Sequence, residues 1–236
     1  MEEKINVKVI GLGGIGSIVC EGLSRFLNFE KSLVHYPLVT LVDGDKYETK
    51  NFVRQNFVTE GSNKAETKKG ELKERFKNII YGGVPTFVTK ENVSEIIKEK
   101  DVVMLCVDNH KTRKVVSDHC SQLKDITLIS GGNELEDGNV QIFIKKEGEK
   151  LLPNLTDYHK ELENPADKSP DEMSCEELSK TEPQLYFTNL MAASYMCTAF
   201  YNVWKGRLDY SEVYFDNVIM KADSKVRKVK EVKKVS

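Results

Sequence analysis

The sequence holds no CxxC pair and no cysteine–histidine cluster at metal-ligand spacing. Its five cysteines, at 20, 106, 120, 175 and 197, stand singly, an odd number without a disulfide framework. Neither a structural zinc site nor an oxidised scaffold is expected, and a reducing cytoplasm fits best. No apolar run approaches the roughly 18 residues of a membrane span, and the opening Met-Glu-Glu-Lys has no signal-peptide pattern. Charge of one sign is missing too: 35 Lys and Arg against 37 Asp and Glu leave no basic excess to neutralise a nucleic-acid backbone. Proline is scarce, with three of the six (153, 165 and 170) in one stretch, and no internal repeat is evident. What remains, with 39% hydrophobic and 31% charged residues over 236 positions, is a globular chain long enough for one well-cored α/β domain.

Against that background one stretch stands out. Val9-Ile10-Gly11-Leu12-Gly13-Gly14-Ile15-Gly16-Ser17 runs from an apolar strand through four glycines into a helix. Such a turn bares main-chain N–H groups, lets a phosphate approach where side chains are missing, and adds the positive end of the helix dipole. A di- or triphosphate ligand at 11–17 is expected, but the fingerprint alone does not separate a nicotinamide or flavin binder from a nucleoside-triphosphate binder. Strand and helix signals alternate onward. Strands are predicted at 6–10, 38–42, 84–89, 102–107, 126–130 and 140–145, helices at 17–27, 65–76, 112–123 and 184–204, and a last strand at 212–220. The continuous apolar character of 38–42 and 102–107 suits strands covered on both faces. This predicts an α/β fold: a doubly wound, mostly parallel Rossmann-like sheet, helices on both faces, and a C-terminal antiparallel extension. Between 146 and 183 bulky apolar residues thin out, predicting a flexible crossover loop within a single domain spanning 1–236. Residues 224–236 read as a basic, solvated tail, because valines at 226, 229, 232 and 235 match neither a strand nor a full helical stripe.

Two further stretches sit at predicted strand ends. Asp43 closes the second strand, at the carboxyl edge where ligands of such sheets lie, and can take a ribose hydroxyl in a dehydrogenase as well as in an ATP binder. Arg54 and Lys64 follow it. A dinucleotide already held by glycines has little need for two cations, whereas a triphosphate with a departing pyrophosphate has that need. Asp43-x-Asp45 is no calcium loop, because the sixth position is Glu48 rather than Gly and the twelfth is Arg54 rather than Glu. Cys106-Val-Asp-Asn-His-Lys-Thr-Arg113 ends another strand, and Asp108 there suits a magnesium ion bridging phosphates, a helix N-cap, or both.

Taken together, these stretches resemble the ThiF/MoeB family, the superfamily that includes ubiquitin-activating enzymes. The family's GxGGxGS loop reads here as Gly11–Ser17, its Asp-x-Asp element and Asn-x-x-Arg-Gln box as Asp43–Gln55, and its C-x-D-N-x-x-x-R strand end as Cys106–Arg113. Ser130-Gly-Gly and Gly138–Phe143 look like its next strand pair. The resemblance covers 5–145 well and 183–221 more loosely. It implies ATP-dependent adenylation of the C-terminal carboxylate of a small ubiquitin-like or sulfur-carrier protein, in a homodimer. By the same resemblance Gly11, Gly13, Gly14 and Gly16 hold the nucleotide and Asp43 takes the ribose. Asn51, Arg54 and Lys64 contact the phosphates, with Arg54 and Lys64 stabilising developing charge, and Asp108 binds Mg2+.

Cys175, in Met173-Ser-Cys-Glu-Glu, lies on the crossing segment, where several family members place a nucleophile that captures the activated carboxylate. With Gln184–Asn189 it looks like the pattern of plasmid- and phage-type relatives. A thiol of ordinary pKa has enough thiolate to attack an acyl-adenylate, although Glu176 and Glu177 oppose its ionisation. Departures from the family set other expectations. The zinc CxxC pairs are absent. The first strand begins almost at once, without the N-terminal helices that in some relatives send an arginine into the neighbouring site, so a second cation is expected from elsewhere. No domain for recruiting a conjugating enzyme is present, which favours a small carrier system over a full ubiquitin cascade. Three other readings stay open: an NAD(P)-dependent oxidoreductase, a non-catalytic carrier-binding scaffold, and a tRNA-modifying relative that the acidic balance does not support.

Overall fold

The computed structural model describes residues 4–53, 55, 57, 59–168 and 185–229. Nine strands form one sheet among them, in the order β3-β2-β1-β4-β5-β6-β8-β9, with the short β7 off β6. The strands are β1 (Asn6–Ile10), β2 (Leu38–Val42), β3 (Ile80–Val84), β4 (Val102–Leu105), β5 (Ile126–Asn133), β6 (Asp137–Lys146), β7 (Glu149–Lys150), β8 (Glu212–Asp216) and β9 (Lys221–Lys225). The first five run parallel. From β6 onward every pairing is antiparallel. The expected sheet and its C-terminal extension are therefore present.

Among the described residues six helices cover it: α1 (Gly14–Phe29), α2 (Lys64–Arg75), α3 (Val93–Ile96), α4 (His110–Gln122), α5 (Lys160–Glu163) and α6 (Tyr186–Trp204). Strand residues alternate between two cores, as a period of two requires. In β4, Met104 joins α1 and α6 in one core, whereas Val103 and Leu105 meet Val116 of α4 and Ile97 in the other. Burial on both faces is what the unbroken apolar runs signalled. Chain progression reverses between β1 and β4, so the carboxyl ends of these neighbours open a crevice there.

Three predicted elements differ. The strand expected at 84–89 is Ile80–Val84 instead. Its Gly82 and Gly83 weaken the sequence signal but serve close packing: a Cβ on Gly83 would lie 2.6 Å from Glu66 Oε1, where α2 presses on the strand. Part of the expected crossover loop is built: β7, a 3-10 turn (Leu155–Asp157) closed by a reciprocal Asn154–Asp157 capping box, and α5. Leu155 and Leu162 anchor this stretch in the second core. The expected basic tail begins inside β9, an all-exposed strand of sequence Lys-Ala-Asp-Ser-Lys at the sheet's edge. Beyond it, Arg227 Nε donates to Glu212 Oε2 at 2.9 Å.

Candidate active site

The glycine turn follows β1 directly. Gly11 adopts φ +84°, a left-handed conformation that favours glycine, and its N–H donates to Val42 O at 2.9 Å. A Cβ on Gly16 would overlap the Gly11 carbonyl oxygen, so Gly16 serves the close return of α1 onto β1. Asp43 lies under this turn and is 8% exposed. Its Oδ2 accepts from Leu12 N–H at 2.5 Å and its Oδ1 from Asp45 N–H at 2.8 Å. Burial raises its pKa, opposed by Lys64. Lys64 is the first residue of α2, 5% exposed, with Nζ 3.1 Å from Asp45 Oδ2. The N-cap Asn63 accepts from Glu66 N–H at 3.1 Å and donates to the carbonyls of Asp43 (2.9 Å) and Asp45 (3.1 Å). The cation is therefore held at a fixed place beside the acidic strand end.

Two cavities meet at this edge. A groove of about 100 Å³ is lined by Gly11, Gly13, Asp43, Lys64, Phe87 and Asp108, among others. A larger cavity of about 360 Å³ is lined by Gly13, Gly14, Asp108, Arg113, Gly132 and Asn189, with Asp137, Glu161 and Tyr214 on its walls. Gly13 and the Cys106–Asp108 segment border both. The helix N-cap after β4 is Asn109, whose Oδ1 accepts from Thr112 N–H at 2.8 Å, so the capping alternative does not occupy Asp108. Asp108 is exposed at the junction. The described residues contain no group of three or more His, Cys, Asp or Glu able to hold a metal by themselves. One carboxylate at a phosphate site fits magnesium, which keeps waters and takes ligands from the phosphates.

The structure thus gathers Gly11, Gly13, Gly14, Asp43, Lys64 and Asp108 around the two cavities. It does not bring Asn51 there: this residue is buried in a 3-10 turn (Thr49–Val53), its Oδ1 accepting from Glu48 N–H at 3.0 Å. Arg54 and Cys175 lie outside the described residues. Among the described cysteines, burial pushes the thiols of Cys20, Cys120 and Cys197 up to about 12 and that of Cys106 well above its usual range.

Sequence reasoning passed over Arg113 and Asn189 as site residues. Arg113 is 7% exposed, and its guanidinium donates to Val107 O (2.7 Å), Gly131 O (2.8 Å) and Ser130 Oγ (3.1 Å), all neutral acceptors. Burial lowers its pKa, while Asp108 acts in the other direction. The quoted strand-end motif contained this arginine, but only the folded contacts bring it to the cavity wall. Asn189 is fully buried, and its Nδ2 and Oδ1 have no hydrogen-bond partner among the described residues. It ends the Gln184–Asn189 stretch quoted above, but in the first turns of an apolar helix its sequence neighbours give it no role in a site.

The molybdopterin-synthase adenylyltransferase of Escherichia coli K12 is 26% identical over 146 residues, which cover 61% of this chain and 55% of that protein. The sulfur carrier protein ThiS adenylyltransferase of Bacillus subtilis 168 is 30% identical over 115 residues, 47% of this chain and 32% of that protein. An adenylyltransferase and sulfurtransferase MOCS3 from Drosophila yakuba is 30% identical over 141 residues, 58% of this chain and 29% of that protein. The chain thus spans between about a third and about half of these relatives' lengths. Among solved structures, E. coli MccB with AMPCPP and MccA superposes with a TM-score of 0.74 at 16% identity, covering 97% of this chain and 65% of that one. PaaA gives 0.70 at 15%, covering 94% and 64%. These likenesses are of fold. The ThiF family model matches residues 3–236, and the chain belongs to the ThiF family.

Proposed function

We propose that the protein uses ATP to adenylate the C-terminal carboxylate of a small ubiquitin-like or sulfur-carrier protein. The observation that carries this reading is the meeting of two differently furnished cavities at Gly13 and Asp108. The groove has what a nucleotide needs: main-chain N–H groups, an acidic acceptor at Asp43 for ribose, and Lys64 for phosphate. The larger cavity gives an acceptor access to the same edge. A carboxylate oxygen attacks the α-phosphorus, the bond from phosphorus to the oxygen shared with the β-phosphate breaks, and pyrophosphate leaves. Two anions must meet, so the protein's part is positioning and charge neutralisation. Lys64 serves the phosphates from one side and Arg113 supplies positive charge from the other. Asp108 would hold Mg2+, which supplies further charge neutralisation. The relatives support the reading, since their names describe adenylyltransferases of sulfur-carrier and molybdopterin systems.

Arg54 belongs to the same proposal as a second phosphate cation, and Cys175 as the nucleophile of a later thioester step. The four remaining cysteines have thiols held neutral, which leaves Cys175 as the candidate. A homodimer and a cytoplasmic setting complete the reading; sedimentation of the purified protein and fractionation of the source cells test them. No helix among the described residues is long and apolar enough to cross a membrane.

ATP–pyrophosphate exchange with a panel of purified carrier proteins tests the central claim. Carrier-dependent exchange is expected, falling about 10²–10³-fold in Lys64→Ala, as when a preorganised charge stabiliser is lost. Absence of exchange together with measurable NADH binding would replace this reading with the oxidoreductase. Carrier binding without exchange, unchanged in Arg54→Ala, would leave the scaffold.

A further inference from the structure

Buried side-chain polar atoms are paired in the large majority of proteins, so each orphan asks for a cause. Among the described residues, neither carboxamide atom of the fully buried Asn189 finds a hydrogen-bond partner. Its surroundings are fixed. Thr188 Oγ1 donates to Leu135 O at 2.7 Å and accepts from Asn217 Nδ2 at 3.1 Å, tying this turn of α6 to the β5–β6 and β8–β9 turns. The carboxamide packs on Gly14, where any Cβ would overlap Nδ2. It also borders the larger cavity, and so does Arg113, whose Nε is a second orphan.

The chemistry of the side chain narrows its ligand. A carboxamide presents one acceptor and two donors. A phosphate or carboxylate offers acceptors only and would set its charge against Oδ1. A residue of an extended peptide points its own N–H and C=O to the same side, as in an antiparallel pair, and satisfies both atoms at once. Four glycines (13, 14, 132 and 138) line this cavity and leave room for such a main chain.

We propose that Asn189 reads the backbone of the acceptor's tail, Oδ1 accepting the N–H and Nδ2 donating to the C=O of the penultimate residue. The larger cavity meets the groove at Gly13, so the proposal sets the terminal residue at that junction and the one before it beside Asn189. The inference rests on the adenylation reading and adds one side chain to it: Asn189 distinguishes an amide from an ester one residue before the carboxylate.

Two non-hydrolysable acyl-adenylate mimics test it without a known partner. One is acetyl-triglycine joined through a sulfamoyl link to adenosine. The other has the penultimate glycine replaced by glycolate, which exchanges its N–H for an ester oxygen. Wild type is expected to bind the amide compound about tenfold tighter than the ester, the scale of one hydrogen bond left unmade. Asn189→Ala and Asn189→Leu bind the two within about twofold, and an unchanged far-UV circular dichroism spectrum reports that they fold. Equal binding of the mimics by wild type overturns the assignment of Asn189 without calling on any variant, as does a preference that survives in both variants. If neither mimic binds wild type better than AMP, the adenylation reading falls instead.

Discussion

Two glycines two positions apart at the start of α1 meet different obstacles, and the difference is measurable. At Gly16 a Cβ would overlap the main chain of Gly11, which nothing can relieve. At Gly14 the obstacle is the Asn189 side chain, which a second substitution removes. Gly14→Ala is expected to cost about 1–3 kcal/mol as an overpacked site, with most of it restored in Gly14→Ala/Asn189→Ala. Gly16→Ala should cost more and find no such rescue. Urea titration of wild type, Gly14→Ala, Asn189→Ala, the double variant and Gly16→Ala checks both statements, and strictly additive losses at 14 and 189 would show that the side chains do not meet. The cysteines give a second test at this scale. With thiols raised to about 12, Cys20, Cys120 and Cys197 should resist iodoacetamide at pH 7.5 until the protein unfolds. Prompt labelling of any of them in the native protein would contradict the packing described for it.

At the scale of elements, the segment after β9 is fastened to the segment before α5 through one buried carboxylate. His159 Nε2 lies 2.9 Å from Glu212 Oε1, while Arg227 Nε and Tyr214 OH donate to Oε2, each at 2.9 Å. Burial acts to raise the Glu212 pKa, but these partners outweigh it and bring it down to about 2. Burial likewise acts to lower the pKa of His159, and the hydrogen bonds to Glu212 and Glu161 raise it above 6.5. A raised histidine contributes fully below its unfolded pKa and loses that contribution as pH rises through the folded value. A depressed carboxylate contributes above its unfolded value of 4.5 and loses it as pH falls toward 2. The fastening is therefore strongest between about pH 4.5 and 6.5. The stability difference between wild type and Glu212→Gln should be on the order of 1–3 kcal/mol at pH 5.5 and smaller at pH 8.5, as read by denaturant midpoints. A gap that does not shrink with rising pH would exclude a contribution from charged His159. The sequence showed which elements fill the core but not which ones merely lean on it. Helix α6 and strands β2 and β4 are visible because their burial needs unbroken apolar runs. Strand β3 is hidden by its two glycines, of which Gly83 lets α2 approach, and β9 by the charges that suit an exposed edge. The described part of the crossover rests on two leucines and a capping box, too little for a periodic signal.

Across the whole molecule, the parallel half of the sheet furnishes the nucleotide groove and the antiparallel half helps wall the cavity beside it. The groove draws on residues 10–109, the cavity on residues 13–214. Most of the groove was legible, because glycine turns and strand-end acids are local patterns. The far wall was not, because Asn189 and Tyr214 reach the cavity only through the order of strands. Nucleotide affinity should thus depend on the first half. ATP at 100 times its Kd is expected to stabilise the protein by about 2.7 kcal/mol, raising Tm by roughly 5–11 °C for a chain of this size. Asp43→Ala should abolish the rise, as differential scanning fluorimetry would show; a full shift in that variant would place the ribose elsewhere. The same division has a meaning for synthesis. During translation every residue of the groove has left the ribosome while the strand bearing Tyr214 is still unmade. Should the nascent half fold, it could hold ATP with no walled place for an acceptor, and the later arrival of β8 would delay the reaction until that strand has been made.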